Sequence, residues 1–455
     1  MSPHLSETVS CGHGEAPFGV PLCSHVRAAR EPWLKYVKWF VGSGLDTEFI
    51  CVECADARDK GLSAETAFVC RECFQHATTE IGELTRTGGH PEIRVVSRPF
   101  DQSVHETLIP KQCGRILDIA PIKNDSRSEW LLLGDAGRIW RFEAHTEKVE
   151  SVGHVKITAE TVGNSFAGHT LTTRLHASQD GQFAALVNDY GRYGQVIDLR
   201  SGKITLKLDG GDYHPETVPL SFAFASRQGQ VVTIHRTAWN RLDISDPSTG
   251  ELLSERGPTS YRSGEQRPQH YLDYFHGALY VSPQGTRILD DGWVWHPVGI
   301  PVVWSLEQWL SGHIWESEDG PTKRDVCART YYWDHGVAWL DEKTVAIGGI
   351  GDDDAEMVDG ARVFDMTLSG AAGPQWRSDW SWAREMSVFA GPAGRFFSDG
   401  NWLYSVEKDG LSRWDPKAGV RTGRINSFCP THHHVDAGEL VQLRQGSLLR
   451  WSMCE

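Results

Sequence analysis

The chain has no surplus of positive charge. Lysine and arginine number 45 against 60 aspartates and glutamates, for a net charge of −15 over 455 residues. A surface that tracks a phosphate backbone needs clustered cations, so nucleic acid is not an expected partner. Long apolar runs are also missing, and the opening MSPHLSETVS has neither a basic stretch nor an apolar core. No bilayer-spanning segment and no secretory leader is expected, and the reading is a soluble cytoplasmic protein. The familiar catalytic motifs are absent as well: there is no G-x-S-x-G elbow, H-E-x-x-H pair or P-loop. Gly348-Gly349-Ile350-Gly351 does not lead into a helix, so it carries no dinucleotide. The acidic run Asp352-Asp353-Asp354-Ala355-Glu356 lacks the spacing of a calcium loop and reads as a hydrated hairpin.

Cysteine is not scarce, but it is unevenly placed. Six of ten cysteines fall within the first 73 residues. Cys51-Val-Glu-Cys54 and Cys70-Arg-Glu-Cys73 are doubled C-x-x-C pairs fifteen residues apart, the spacing of structural zinc ligands in a reducing compartment. Four thiolates around one Zn²⁺ form the expected site. Cys11-Gly-His13 and Cys23-Ser-His25 supply two more thiols and two imidazoles, enough to close a second site. An amphipathic helix is expected from about Glu31 to Val41, and a second after Cys73 through Ala77, Ile81 and Leu84, stopped by Gly88-Gly89.

From Glu92 onward short apolar strands recur between turn residues. Gly168 to Lys203 is the clearest unit: Leu171–His176, Phe183–Val187, Gln195–Leu199 and Ile204–Leu208, punctuated by Asp180-Gly181, Tyr190-Gly191 and Ser201-Gly202. One four-stranded sheet of this size cannot bury both faces, so the unit is stable only if copies stack. Seven copies fit, the last truncated, with Ile93–Val96 expected to lend it a strand and latch a ring. Met386–Ala390 reads as the first strand of the sixth copy. The fold class is therefore mainly β, a seven-bladed propeller over residues 92–455 after a small α+β zinc-binding module over residues 1–91.

Two resemblances bear on this. Ile139-Trp140-Arg141, Val196-Ile197-Asp198, Val303-Trp304-Ser305, Val363-Phe364-Asp365, Arg413-Trp414-Asp415 and Arg450-Trp451-Ser452, with Gly168-His169, resemble the third-strand endings of WD-repeat propellers. The front module, a knuckle and hairpin followed by a C-x-x-C leading into a helix, resembles the treble-clef zinc fingers. Its order of Cys23-x-His25, two C-x-x-C pairs, His76 and Gly89-His90-Pro91 is similar to the ubiquitin-binding zinc fingers of deubiquitinases, which implies a ubiquitin-like tail as a further candidate ligand.

The tryptophans that end third strands, Trp140, Trp304, Trp414 and Trp451, are expected in the core. Other aromatics, with His, Asp and Arg, cluster in segments that lead into innermost strands, and topology gathers such segments on one rim. The candidate partner-binding residues there are Tyr271, Asp273, Tyr274, His276, Tyr332, Trp333, Asp334, His335, Trp380, Trp382, Arg384, His432 and His434. Two readings compete for this rim. One is a protein- or peptide-binding face of a non-enzymatic scaffold. The other is a metal-dependent enzyme with an ion held in the channel by His276, His335 and residues of His432–His434. Plain blade-to-blade bonding by these histidines is the structural alternative to the second.

Overall fold

A computed structural model describes residues 9–11, 14–16, 20–28, 34–41, 46–78, 81–88, 92–123, 128–156, 158–160, 168–261, 264–295, 297–369 and 381–453. Seven successive sheets follow residue 100, one for each expected blade. Blade one is Ile116–Ile122, Glu129–Gly134, Arg138–Glu143 and Lys148–His154. Blade two is Thr172–Ala177, Phe183–Asp189, Tyr193–Asp198 and Lys203–Asp209, close to the strands expected from the turns. Blade three keeps three strands, Phe222–Arg227, Gln230–Ala238 and Arg241–Ser245, with a Ser245 to Leu252 bridge at its outer edge, and blade four is built on Phe275–Val281, Arg287–Val294, Val302–Ser305 and Arg324–Asp325.

The hairpins that end the third strands share one device. Asp198, Asp246 and Asp415 each accept, through Oδ1, the backbone N–H two residues on, at 2.9, 2.7 and 3.1 Å, and Asp365 does the same at 2.7 Å at an irregularity within Val358–Ser369. A short acidic side chain can close such a turn on its own backbone, which is why aspartate recurs there without any catalytic role. Trp130, Trp304 and Trp414 are fully buried between neighbouring sheets, and Trp140 and Trp451 are nearly so. Each such side chain contributes about 1.5–3 kcal/mol by leaving water.

Two expectations about the ring need correction. Ala383–Ala390 is the outermost strand of blade five, paired to Val358–Ser369, and not the first strand of blade six. Blade six is instead Arg395–Ser398, Leu403–Glu407, Gly410–Asp415 and Val420–Asn426. The ring is closed by His105–Leu108, which pairs antiparallel with Ser447–Ser452 outside His432–His434 and Glu439–Arg444. Ile93–Val96 does not reach that blade: Val95 makes a single bridge to Arg421 on the edge of blade six, and its apolar side chains stay exposed. Between them Phe100 packs on the face of Gly423 and against Trp451, carrying the chain from one blade edge to the next.

The front of the chain holds a five-stranded sheet in the order Thr66–Val69, Val20–Cys23, Asp46–Cys51, Lys35–Val41, Gly82–Gly88. The expected helix over Glu31–Val41 is a strand where it is described. Tyr36, Val37 and Trp39 are all buried, and β-branched and aromatic side chains favour an extended backbone covered on both faces. The helix after Cys73 stops at Thr78, and Gly82–Gly88 runs parallel to Lys35–Val41. Leu22, Val26, Val37, Ile50 and Ala55 form the centre of this sheet's core.

Candidate metal centre and propeller rim

Cys23, His25, Cys51 and Cys54 form one group, their ligand atoms all within 4.8 Å of one another. His25 Nδ1 lies 3.2 Å from Cys54 Sγ and 3.7 Å from Cys51 Sγ. A tetrahedral zinc with legs of about 2.0–2.3 Å has edges of roughly 3.5–3.8 Å, so the donors are already at binding separation. Cys23 Sγ also accepts the N–H groups of Cys51 at 3.3 Å and Val26 at 3.5 Å, bonds that suit a thiolate. Burial pushes the Cys51 thiol up and carries that of Cys54 up to about 12, with Cys51 as its next cause. Buried thiols this close cannot hold negative charge together without a cation among them.

The quartet differs from the expected one. Cys51 and Cys54 close with Cys23 and His25, while Cys70 and Cys73 stand apart from that group. The sheet register explains it. Val20 pairs with Val69 and Cys23 with Thr66, so Cys70, four residues beyond Thr66, lies past the opposite end of the strand from Cys23, about 13 Å along at roughly 3.3 Å per residue. Leu22 pairs parallel with Phe49, which brings Cys51 beside Cys23. At the other end Cys73 N–H donates to Cys70 Sγ at 3.3 Å, again the turn of a thiolate ligand. The side chain of Cys11, and His13 altogether, lie outside the described residues.

The rim residues separate into two sets. Tyr274, His276, Trp333, Trp382 and His434 are buried, and so cannot be contact residues. His276 Nδ1 meets Asp290 Oδ2 at 2.6 Å, and Asp290 also accepts the Gly277 N–H at 2.8 Å. The Tyr274 hydroxyl accepts from Gly292 N–H and lies 3.0 and 2.9 Å from the carbonyl oxygens of Asp290 and Ile300. Trp333 donates from Nε1 to Thr217 O at 3.0 Å. His434 Nε2 is 3.1 Å from Glu129 O, and His432 Nε2 is 2.8 Å from Asp118 Oδ1, so both tie blade seven to blade one. Arg384 is exposed but sits on the outermost strand of blade five, away from the channel. Trp380 falls outside the described residues.

Tyr271, Asp273, Tyr332, Asp334 and His335 retain some access to water. Arg267 lies over the Tyr271 ring at 4.4 Å, and Tyr332 stacks on His335. Packing, then Arg329, pushes His335 down to about 4, so it is neutral at physiological pH.

Sequence reasoning missed the residues that turn this rim into an apolar surface. Trp333 stacks on Trp293 at 5.1 Å, Trp293 on Phe275 at 4.1 Å, and Phe275 on Tyr213 at 5.7 Å. Trp239 and Trp295 pack against the same rings. The outer end is open: Tyr213 is 45% and Trp295 38% exposed. Gly211-Asp212-Tyr213-His214-Pro215 leads into an innermost strand as the other rim segments do, and that position was the available signal.

Below the ladder, buried Asp291 receives the Asp334 N–H at 3.1 Å and faces Arg329 at 3.5 Å. Burial raises its carboxyl to about 7 against the pull of Arg329. A raised folded-state value means the native protein holds a proton that the unfolded chain has released. Stability from this group is therefore full below pH 4 and declines as pH climbs to about 7, on the order of 1.4 kcal/mol per unit. Asp291→Asn is expected to flatten that slope in urea titrations run from pH 4 to 8, and an unchanged slope would exclude Asp291 as its source.

No protein-family model and no curated protein matches this chain. Among solved structures, a chain of the crystal structure of the mitotic checkpoint complex is similar at 12% identity and a TM-score of 0.45, over 80% of this chain and 96% of that one. Among the described residues no helix is long and apolar enough to cross a membrane.

Proposed function

We propose that this chain is a non-enzymatic, cytoplasmic interaction scaffold, a zinc-folded module over residues 1–91 followed by a propeller over residues 92–455 whose aromatic rim takes a protein or peptide. The rings stacked from Trp333 to Tyr213 across blades five, four and three carry this reading. Stacked rings are rigid and cost little entropy to order, and exposed Trp and Tyr at the end of a packed row are what partner anchors use. His276 and His432 are bonded to aspartates, and His434 lies against a backbone carbonyl, which supports a structural role for them over ligation.

The zinc module is proposed to hold two ions. Cys23, His25, Cys51 and Cys54 take one. The remaining C-x-H, Cys11 and His13, and the remaining C-x-x-C, Cys70 and Cys73, supply the same donors for the other.

Selection from a displayed random-peptide library tests the partner-binding reading. Wild-type protein should enrich peptides that bind Tyr213→Ala/Trp295→Ala at least tenfold more weakly, as the loss of anchors worth about 2 kcal/mol implies. Leu252→Ala, on the outer edge of blade three, should bind as wild type. No enrichment, or enrichment indifferent to the double substitution, would overturn the assignment.

A further inference from the structure

The channel contains a cation, Arg395, that has no ion pair among the described residues. Arg395 opens the innermost strand of blade six and lines a cavity of about 830 Å³ together with Arg174 of blade two and Tyr280 of blade four. Among the described residues its guanidinium bonds to one group, the Thr431 carbonyl oxygen, at 2.6 Å. The three nearby carboxylates are already engaged. Asp118 accepts from Leu175 N–H at 2.7 Å and meets His432 at 2.8 Å. Asp189 holds Arg174 Nε at 2.6 Å, and Asp334 accepts the Tyr190 hydroxyl.

His335 and His433 line the same cavity, and burial lowers each to about 4, so they bring neutral imidazole and no competing charge. Burial, and then the neighbouring Arg174, pull Arg395 below its usual value. Arg174 is ion-paired to Asp189, whereas Arg395 has no ion pair among the described residues, so its guanidinium fork, which matches carboxylate and phosphate geometry, keeps donors that an oxyanion can complete.

We propose that a carboxylate or phosphate carried on a partner's side chain enters the channel and binds between Arg395 and Arg174, with the Tyr280 hydroxyl as a third donor. This rests on the reading of the rim as the partner-binding face. Asp334 and His335 line the cavity and directly follow, in the chain, Trp333, the buried end of the aromatic row. A peptide anchored on Tyr213 and Trp295 at the open end must extend past that row to place its acid in the cavity, which has the size that small ligands and side chains fill.

The test uses the zinc-loaded full chain and peptides that it selects from the library. Selected peptides should be enriched in Asp or Glu, and a phosphoserine at the same position should also bind. Arg395→Gln should weaken them about tenfold or more, with the melting temperature lowered by no more than the loss of the single bond to Thr431 O; Arg395→Lys should weaken them less. Changing the peptide's acid to its amide should cost the same factor with wild type and nothing further with Arg395→Gln. Inorganic phosphate should compete with the peptide on wild type but not on the variant.

Peptides without an acidic residue, or equal binding by Arg395→Gln, would overturn the channel site and leave the partner-binding rim standing. Phosphate that binds without displacing peptide would also overturn it. Failure of wild type to select any peptide would remove the rim reading itself.

Discussion

Cys54→Ser is expected to release one zinc and unfold the front sheet. Structural zinc sites supply about 10–16 kcal/mol of apparent binding free energy, more than the whole stability of a small domain. Here the ion would hold together the strand ending at Cys23, the strand ending at Cys51 and the helix Val52–Asp59. Without it Leu22, Val37 and Ile50 lose the clamp that sets their register. Elemental analysis should find two zinc per wild-type chain, one in Cys70→Ser and at most one in Cys54→Ser, because the sheet that unfolds also carries Cys70. Dichroism should show the front sheet lost, while blade tryptophans keep their fluorescence. A metal-free wild type with an unchanged melting curve after chelation would sink the zinc proposal, and a single zinc in the wild type would reduce it to one ion.

The second large effect is expected in the propeller. Asp290→Ala leaves the buried His276 Nδ1 and Gly277 N–H without their acceptor. Removing one partner of a buried pair costs about 3–5 kcal/mol, because the other is stranded in a site with no water to replace it. Urea unfolding followed by tryptophan fluorescence measures this, and Asp290→Asn should cost less because its amide oxygen still accepts. Zinc content should not move in either variant. Loss of iron, copper or manganese from His276→Ala, with stability intact, would instead establish the channel-metal reading.

The blades were legible because their turns are chemically marked. Asp180-Gly181 and Ser201-Gly202 place glycine at φ +65° and +68°, where a side chain would be strained, and a hairpin there has few alternatives. What turn chemistry does not encode is rank within a sheet. Ala383–Ala390 alternates like an innermost strand, yet its position is decided by which neighbour it pairs with. The closing strand His105-Glu-Thr-Leu108 carries a single apolar residue and gave no signal, because an outer strand is held by backbone bonds more than by burial. Lys35–Val41 was misread for a related reason: Val37 and Phe40 at a three-residue spacing suit a helix face, and a strand buried on both sides needs no strict alternation.

The candidate sites divide in the same way. The C-x-x-C and C-x-H pairs are local, so the donor types followed from spacing, whereas the partition into quartets depends on strand register across forty residues. Trp333 and His276 looked like surface groups because aromatic and polar residues near a rim have no sequence mark for depth. Trp293 and Asp290, which bury them, lie in another strand.

By itself the chain's spelling determined a repeated four-strand unit, seven copies of it, a net acidic composition, and thiol-imidazole donors at the front. Each of these is written in contacts a few residues long. Only the tertiary structure decided which cysteines meet, which strand closes the ring, which rim aromatics are open to water and that Arg395 lines the channel cavity with no ion pair among the described residues. Those depend on pairing between segments tens to hundreds of residues apart, and the free energy of such pairing belongs to the assembled sheets rather than to any one stretch of chain.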